Sequence, residues 1–410
     1  VACTAAFERR VLTAPPNVLE LTSAYGSRGA SGGDFLVVLY GSREGLTWRR
    51  FLPDGSVATR DDGAGNRVPE LPVVLVEDNP NRRLFHPAIH YLDSAASQAA
   101  QGVDRFQWVW SRPSTNNRRD NLARGALLLG NAPDLRAETL VEGRTTDDRF
   151  ERTRVVASRN ASLTAYLSRQ SQASSARGAF SAFDVAREGE GQPPLVVDFS
   201  AAGDTATAVT AVAVDPIFLV AWAAARPGAG TAVQAQLFDE TGAALSEVIL
   251  LQDGLNSSVA TVRAMEAQHD AGNVILFWTI RTTAGDELRR LVLSAQEINA
   301  IRSGSPLNAR SETLALSGGP ASEIRSAVRP GEVGLAALST DGAQQNIWLY
   351  RYNFGGQPVA RPVLLGRGTL GVSAQYSLMP TPGGYSIIWR EDGGSAPDTI
   401  YYRSFTCRDR

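Results

Sequence analysis

The feature that most constrains this 410-residue chain is a five-residue apolar run that recurs at a near-constant interval. It reads Phe35–Leu39, Phe106–Trp110, Ser162–Tyr166, Phe218–Trp222, Val274–Trp278, Gly334–Leu338 and Tyr385–Trp389, with successive ends 71, 56, 56, 56, 60 and 51 residues apart. A fixed period decides an architecture before any local propensity does. Each run follows a strand-like segment, such as Ser258–Arg263 or Gly371–Tyr376, and precedes a third, such as Thr231–Phe238, Asn346–Tyr352 or Thr399–Phe405. A glycine turn then leads to a fourth: Pro53-Asp54-Gly55 before Ser56-Val57, Glu240-Thr241-Gly242 before Ala243–Leu250, and Gly355-Gly356 before Val359–Leu365. The runs are apolar on both faces, which a sheet packed between two others requires and a one-sided sheet does not. The pattern predicts an all-β, seven-bladed β-propeller of four-stranded antiparallel blades, one domain over residues 1–410. Two independent β-sandwiches have similar strand spacing, but leave unexplained an interval that continues past residue 200 without a linker.

The ends of the chain complement each other. Ala5–Leu12 reads as a fourth strand lacking the three that should precede it, and the last unit stops after its third strand at Phe405. Residues 1–14 are therefore expected to complete the last blade by pairing with the C-terminal hairpin, which closes the ring and hides two sheet edges. Cys3 and Cys407, the two cysteines of the chain, fall where that fourth strand begins and the third ends, so a disulfide is expected in place of the missing turn. Loop entropy gives a bridge this long an upper value of about 5 kcal/mol, in an oxidising compartment. A second reading remains open: Val1-Ala2-Cys3 resembles the end of a bacterial lipoprotein cleavage site, with Cys3 lipidated. Both place the protein outside the cytoplasm, secreted or at the cell surface.

Composition excludes several chemistries. All 40 basic residues are Arg, against 42 acidic ones, so the net charge of −2 gives no reason to expect nucleic acid or an acidic membrane as partner. Without lysine there is no Schiff base, Walker-type phosphate loop or kinase ATP site. Two cysteines and three histidines, His86, His90 and His269, make a thin metal inventory, and no metal or cofactor is expected. No run of about 18 apolar residues is present to span a bilayer as a helix. The sequence carries no Gly-x-Ser-x-Gly, His-Glu-x-x-His or calcium-loop motif, so no catalytic residue is assigned.

The stretch Phe218–Trp222 with Gly230–Leu245 resembles the Trp- and Gly-containing repeats of bacterial secreted and cell-surface β-propellers, a resemblance that implies fold and extracellular setting. Ser42–Trp48 is weakly similar to the sialidase Asp box, Ser-x-Asp-x-Gly-x-Thr-Trp, with Glu44 for Asp and one residue fewer.

Propellers present ligands at the channel mouth and on connecting loops. The innermost segments contribute Arg154, Arg263, Arg325 and Glu323, and three guanidinium groups round a channel suit a carboxylate or sulfate; pairing with nearby acids is the plainer use. His86 and His90, four apart, would share one face of a strand, and a structural pair is favoured over a metal site. Glu44, Asp341 and Asp392 follow second strands and are read as turn-solvating acids. Polar loops at Asp93–Gly102 and Ser111–Asn121, the latter with Arg112, Arg118 and Arg119, are candidate contact surfaces. Trp348, Tyr350 and Tyr352 alternate along one strand and are assigned to packing between blades. Asn160-Ala-Ser162 and Asn256-Ser-Ser258 match glycosylation acceptors. The expected function is a non-enzymatic extracellular module on or outside a bacterial cell, self-assembling or binding another extracellular protein. A glycan-binding, lectin-like propeller comes second and a glycoside hydrolase third.

Overall fold

The computed structural model describes residues 3–14, 18–26, 35–42, 45–77, 84–92, 104–113, 120–129, 136–143, 148–158, 160–170, 173–182, 194–255, 260–341, 344–368, 375–391 and 396–407. Seven four-stranded antiparallel sheets form the blades of a propeller, and the described residues add one short helix and one extra hairpin. The seven first strands are Val18–Gly26, Ala88–Leu92, Arg149–Ala157, Thr205–Val214, Thr261–Asp270, Ala321–Arg329 and Tyr376–Thr381. Each touches the next, and the last touches the first, so they line a closed ring.

All seven recurrent apolar runs lie in second strands, and their two-sided character has the expected cause. In blade 4, Phe218, Val220 and Trp222 pack on blade 3, while Leu219, Ala221 and Ala223 pack on blade 5. Alternate residues of a strand point to opposite faces, so one apolar run supplies two interfaces. Among the described residues there are seven buried apolar clusters, one at each junction between neighbouring blades. Tyr350 and Tyr352 belong to the cluster between blades 5 and 6, with Trp348 packed against it.

The closure matches the sequence reading. Cys3–Ala14 is the outermost strand of blade 7 and pairs antiparallel with Asp398–Cys407, Cys3 opposite Cys407. The two cysteines form a disulfide. Asp398, fully buried, accepts the Val18 backbone N–H at 2.6 Å and pairs with Arg390 at 2.9 Å, which ties blade 7 to blade 1 from inside.

The glycine turns recur in blades 1, 4 and 6. Gly55, Gly242 and Gly356 have φ of 74°, 89° and 81°, the left-handed region glycine enters without steric cost. Beyond each turn the chain departs from expectation. Val57, Ala244 and Pro358 make single bridges to the third strand, and the true fourth strands come later, at Val73–Glu77, Ile249–Leu255 and Val363–Gly368. The turns dock on the preceding blade: Gly242 lies against Phe180 and Leu195 of blade 3, Gly356 against Val292 and Arg290 of blade 5, and the Pro53 carbonyl accepts from Tyr402 of blade 7 at 3.0 Å.

Two elements were not anticipated. The exposed hairpin Thr59–Asp61/Arg67–Pro69 occupies part of the longest repeat step. The helix Ala295–Arg302 starts in a capping box, with Ser294 accepting from the Glu297 N–H at 3.3 Å and the Glu297 carboxylate accepting from the Ser294 N–H at 2.8 Å; Ile298 and Ile301 are buried. Glu44, Asp392, residues 93–102, Arg118, Arg119 and residues 256–258 lie outside the described residues, as does the side chain of Asp341. Arg112 is exposed near the end of a strand. No helix among the described residues is long and apolar enough to cross a membrane.

Candidate active site at the channel mouth

A backbone irregularity recurs where the first strands begin. Blades 1, 3, 4, 5 and 6 each carry a β-bulge there, between Val18 and Glu20, Glu151 and Arg154, Ala206 and Ala208, Val262 and Ala264, and Ala321 and Glu323. A bulge leaves residues unpaired and re-aims the side chains around it, which is why bulges gather at barrel rims and active sites. These starts surround a cavity of about 500 Å³ to which all seven blades contribute, a volume suited to a ligand of a few sugar rings.

Glu20 of blade 1 is buried, and its carboxylate accepts backbone N–H groups of blade 2, Phe85 at 2.6 Å and His86 at 2.9 Å. Gly41 stands opposite Glu20 on the next strand, and a Cβ there would lie 2.9 Å from the Phe85 ring, so glycine is what lets this segment approach. The His86 Nδ1 is 3.3 Å from the Glu20 carboxylate. Burial pushes the Glu20 carboxyl up to about 7, against the two N–H groups that favour its ionised form. Burial, with the Arg152 guanidinium adding to it, pushes His86 down to about 4, so its imidazole is neutral at physiological pH. The Thr153 hydroxyl donates to the His86 carbonyl and joins blade 3 to the pair.

Three non-glycine residues among those described have positive φ: His86 at 45°, Arg152 at 51° and Ala271 at 48°. Ala271 is in a turn; the other two both line the cavity. Strained backbone of this kind costs about 1–3 kcal/mol per residue and concentrates at functional sites.

Around Arg154 and Arg325 the charges are paired. Glu266 of blade 5 reaches Arg154 of blade 3 at 2.5 Å and accepts from Ser326 of blade 6 at 3.1 Å. Arg325 lies 3.6 Å from Glu323 and 4.0 Å from Glu266, over the ring of Tyr376 at 5.6 Å. Burial alone would lower the Arg325 pKa, but the carboxylates outweigh it and hold it above its ordinary value.

Of the four residues singled out by sequence, Arg154, Arg325 and Glu323 meet in the cavity wall, the two arginines already engaged with acids. Arg263 is the unpaired bulge residue of blade 5, half-buried and outside the cavity lining. Sequence reasoning missed Glu20 and Arg152. Arg152 faces the cavity and is in no ion pair among the described residues. Desolvation in the mouth lowers its pKa, with Glu323 opposing and Arg325 and Arg154 adding to the shift. His86 and His90 do not share a strand face, because His86 precedes the strand Ala88–Leu92 in left-handed conformation. Among the described residues, no group of three His, Cys, Asp or Glu is arranged to hold a metal ion.

No protein-family description matches the sequence, and neither does any curated protein. Structural similarity is found. A polysaccharide lyase, Uly1, superposes with a TM-score of 0.53 at 10% identity, over 97% of this chain and 91% of that one. The fold is shared with that enzyme. A phage phi92 endosialidase aligns over 100% of this chain and 69% of its own at 10% identity with a TM-score of 0.46, and a Trypanosoma rangeli sialidase over 85% and 56% at 8% with 0.43. At these identities the similarity is one of fold. The expectation of a non-enzymatic module, self-assembling or protein-binding, is corrected by the first of these: the solved structure that shares this fold is an enzyme acting on a polysaccharide. The motif search that suggested an empty catalytic inventory also missed a buried carboxylate–imidazole pair, whose members are 66 residues apart in sequence.

Proposed function

We propose that this propeller is a glycan-processing enzyme whose active site is the channel mouth, with Glu20 and His86 as its proton-transfer pair. The observation that carries the reading is their placement together in the lining of one cavity, the His86 Nδ1 3.3 Å from the Glu20 carboxylate and His86 on left-handed backbone. Once ionised, above about pH 7, the Glu20 carboxylate beside Nδ1 favours the tautomer protonated there, which leaves Nε2 to take a proton as general-base catalysis needs. Arg154, Arg325 and Glu323 belong to the wall that a bound glycan would meet. The disulfide suits an oxidising compartment, so an extracellular or cell-surface enzyme is the setting proposed.

The test is release of reducing ends from a panel of neutral and acidic polysaccharides. His86→Ala should lower turnover by about 10²–10⁴-fold, the usual worth of a general base, with an unchanged melting temperature. Full activity in that variant, or no turnover of any polysaccharide by the parent protein, contradicts the proposal.

A further inference from the structure

Resting on that reading, we infer that the substrate is a uronate-containing polysaccharide and that the bond is broken by β-elimination, with Arg152 holding the uronate carboxylate and His86 taking the proton beside it. Among the described charged groups of the lining, Arg154 is engaged with Glu266, which is not itself part of the lining, Glu323 lies 3.6 Å from Arg325, Glu151 lies 3.6 Å from Arg169, Arg390 is paired with Asp398, and Glu20 is held by two backbone N–H groups. Hydrolysis by paired carboxylates needs one acid to protonate the leaving oxygen and a second to activate water or attack. The mouth instead offers one neutral base, His86, and one uncommitted cation, Arg152, close enough for the guanidinium to weaken the imidazole's hold on a proton. Both stand on strained backbone in adjacent blades, joined by the hydrogen bond from Thr153 to the His86 carbonyl.

A base beside a cation suits abstraction of a proton α to a carboxylate. Pairing the carboxylate with a guanidinium stabilises the negative charge that spreads onto its oxygens as the proton leaves. The His86 Nε2 takes the α proton, and the C–H electron pair becomes the α–β double bond. The glycosidic C–O bond at the β carbon breaks, its electrons leaving with the oxygen. The imidazolium hands its proton to that oxygen, so His86 is regenerated and no water is consumed. One chain becomes two, one bearing an unsaturated uronate end. Arg152 suits the anchoring role better than Arg154 or Arg325, because a substrate carboxylate need displace no protein acid from it.

The experiment incubates the full chain with polygalacturonate, alginate, hyaluronan and chondroitin sulfate, each beside its carboxyl-reduced counterpart. Reducing ends and the ultraviolet absorbance of the conjugated unsaturated acid are followed in one reaction. Both should rise in step on at least one uronate polymer and neither on its reduced form. Arg152→Gly suits the left-handed backbone and should melt no lower than the parent, yet lose about 10²–10³-fold in kcat/KM. Reducing ends without absorbance would overturn elimination and leave the glycan-processing reading standing. Cleavage of the carboxyl-reduced polymers, or an Arg152→Gly protein as active as the parent, would overturn the uronate assignment. No cleavage of any polysaccharide would remove both readings.

Discussion

At the scale of single residues, Glu20 ties stability to the proposed proton transfer. Its folded pKa of about 7, raised from 4.5 by burial, means the folded protein holds a proton that the unfolded chain has released between those values. Its contribution to stability is therefore full below about pH 4.5 and lost as pH rises through 7, a change of about 3 kcal/mol. His86 and His90, both pushed down to about 4 by burial, act in the opposite sense, adding stability as pH rises from 4 to 6.5. Glu20→Gln removes the falling component alone. In urea titrations the variant should gain on the parent by about 3 kcal/mol from pH 4.5 to above 7, and a pH-independent difference would contradict the buried, protonated carboxyl. Neither Glu20 nor Arg152 was legible in the sequence. Glu20 is one acid in an apolar strand until the fold brings the Phe85 and His86 N–H groups to it, and Arg152 faces the cavity because a bulge leaves it unpaired, a choice that has no local sequence signal. Arg154, Arg325 and Glu323 were legible because the strand count placed them in innermost strands.

Among elements, the second strands were readable because burial on both faces leaves a continuous apolar run, and the turns because left-handed positions select glycine. The outer strands were misplaced for a related reason. Exposed on one side and short, they carry a weak pattern, and the residues just after each glycine look equally strand-like. The helix had a readable start in Ser294-x-x-Glu297, overlooked in an otherwise β-type pattern. The glycine turns permit a direct comparison. At Gly242 a Cβ would lie 2.9 Å from the Phe180 ring and 3.1 Å from Leu195, whereas Gly203, also left-handed at φ 91°, has nothing within 4 Å. Gly203→Ala should cost only the backbone term of about 1–2 kcal/mol. Gly242→Ala should cost about 2–4 kcal/mol, since the docked blade must also give way. Equal losses in melting experiments would mean that the turn does not lock blade 4 to blade 3.

For the whole molecule, the ring joins seven four-stranded sheets into one closed frame. Neighbouring blades share an apolar cluster, and the terminal strand and disulfide fasten the frame where the chain ends meet. Rigidity matters because the cavity belongs to no single blade. Glu20 comes from blade 1, His86 from blade 2, Arg152 and Arg154 from blade 3, Met265 from blade 5, and Glu323 and Arg325 from blade 6. Binding groups so far apart in sequence hold a productive geometry only while the ring stays closed. The frame was visible in the repeat, but the site was not, since a constellation assembled across blades has no motif in the linear chain. The measurement that reaches the central claim most directly is a crystal structure of the His86→Ala protein with a uronate oligosaccharide bound. We expect a sugar carboxylate on the Arg152 guanidinium and the neighbouring ring carbon facing the space left by the imidazole. An oligosaccharide seated elsewhere on the propeller, with the channel mouth empty, would contradict the account.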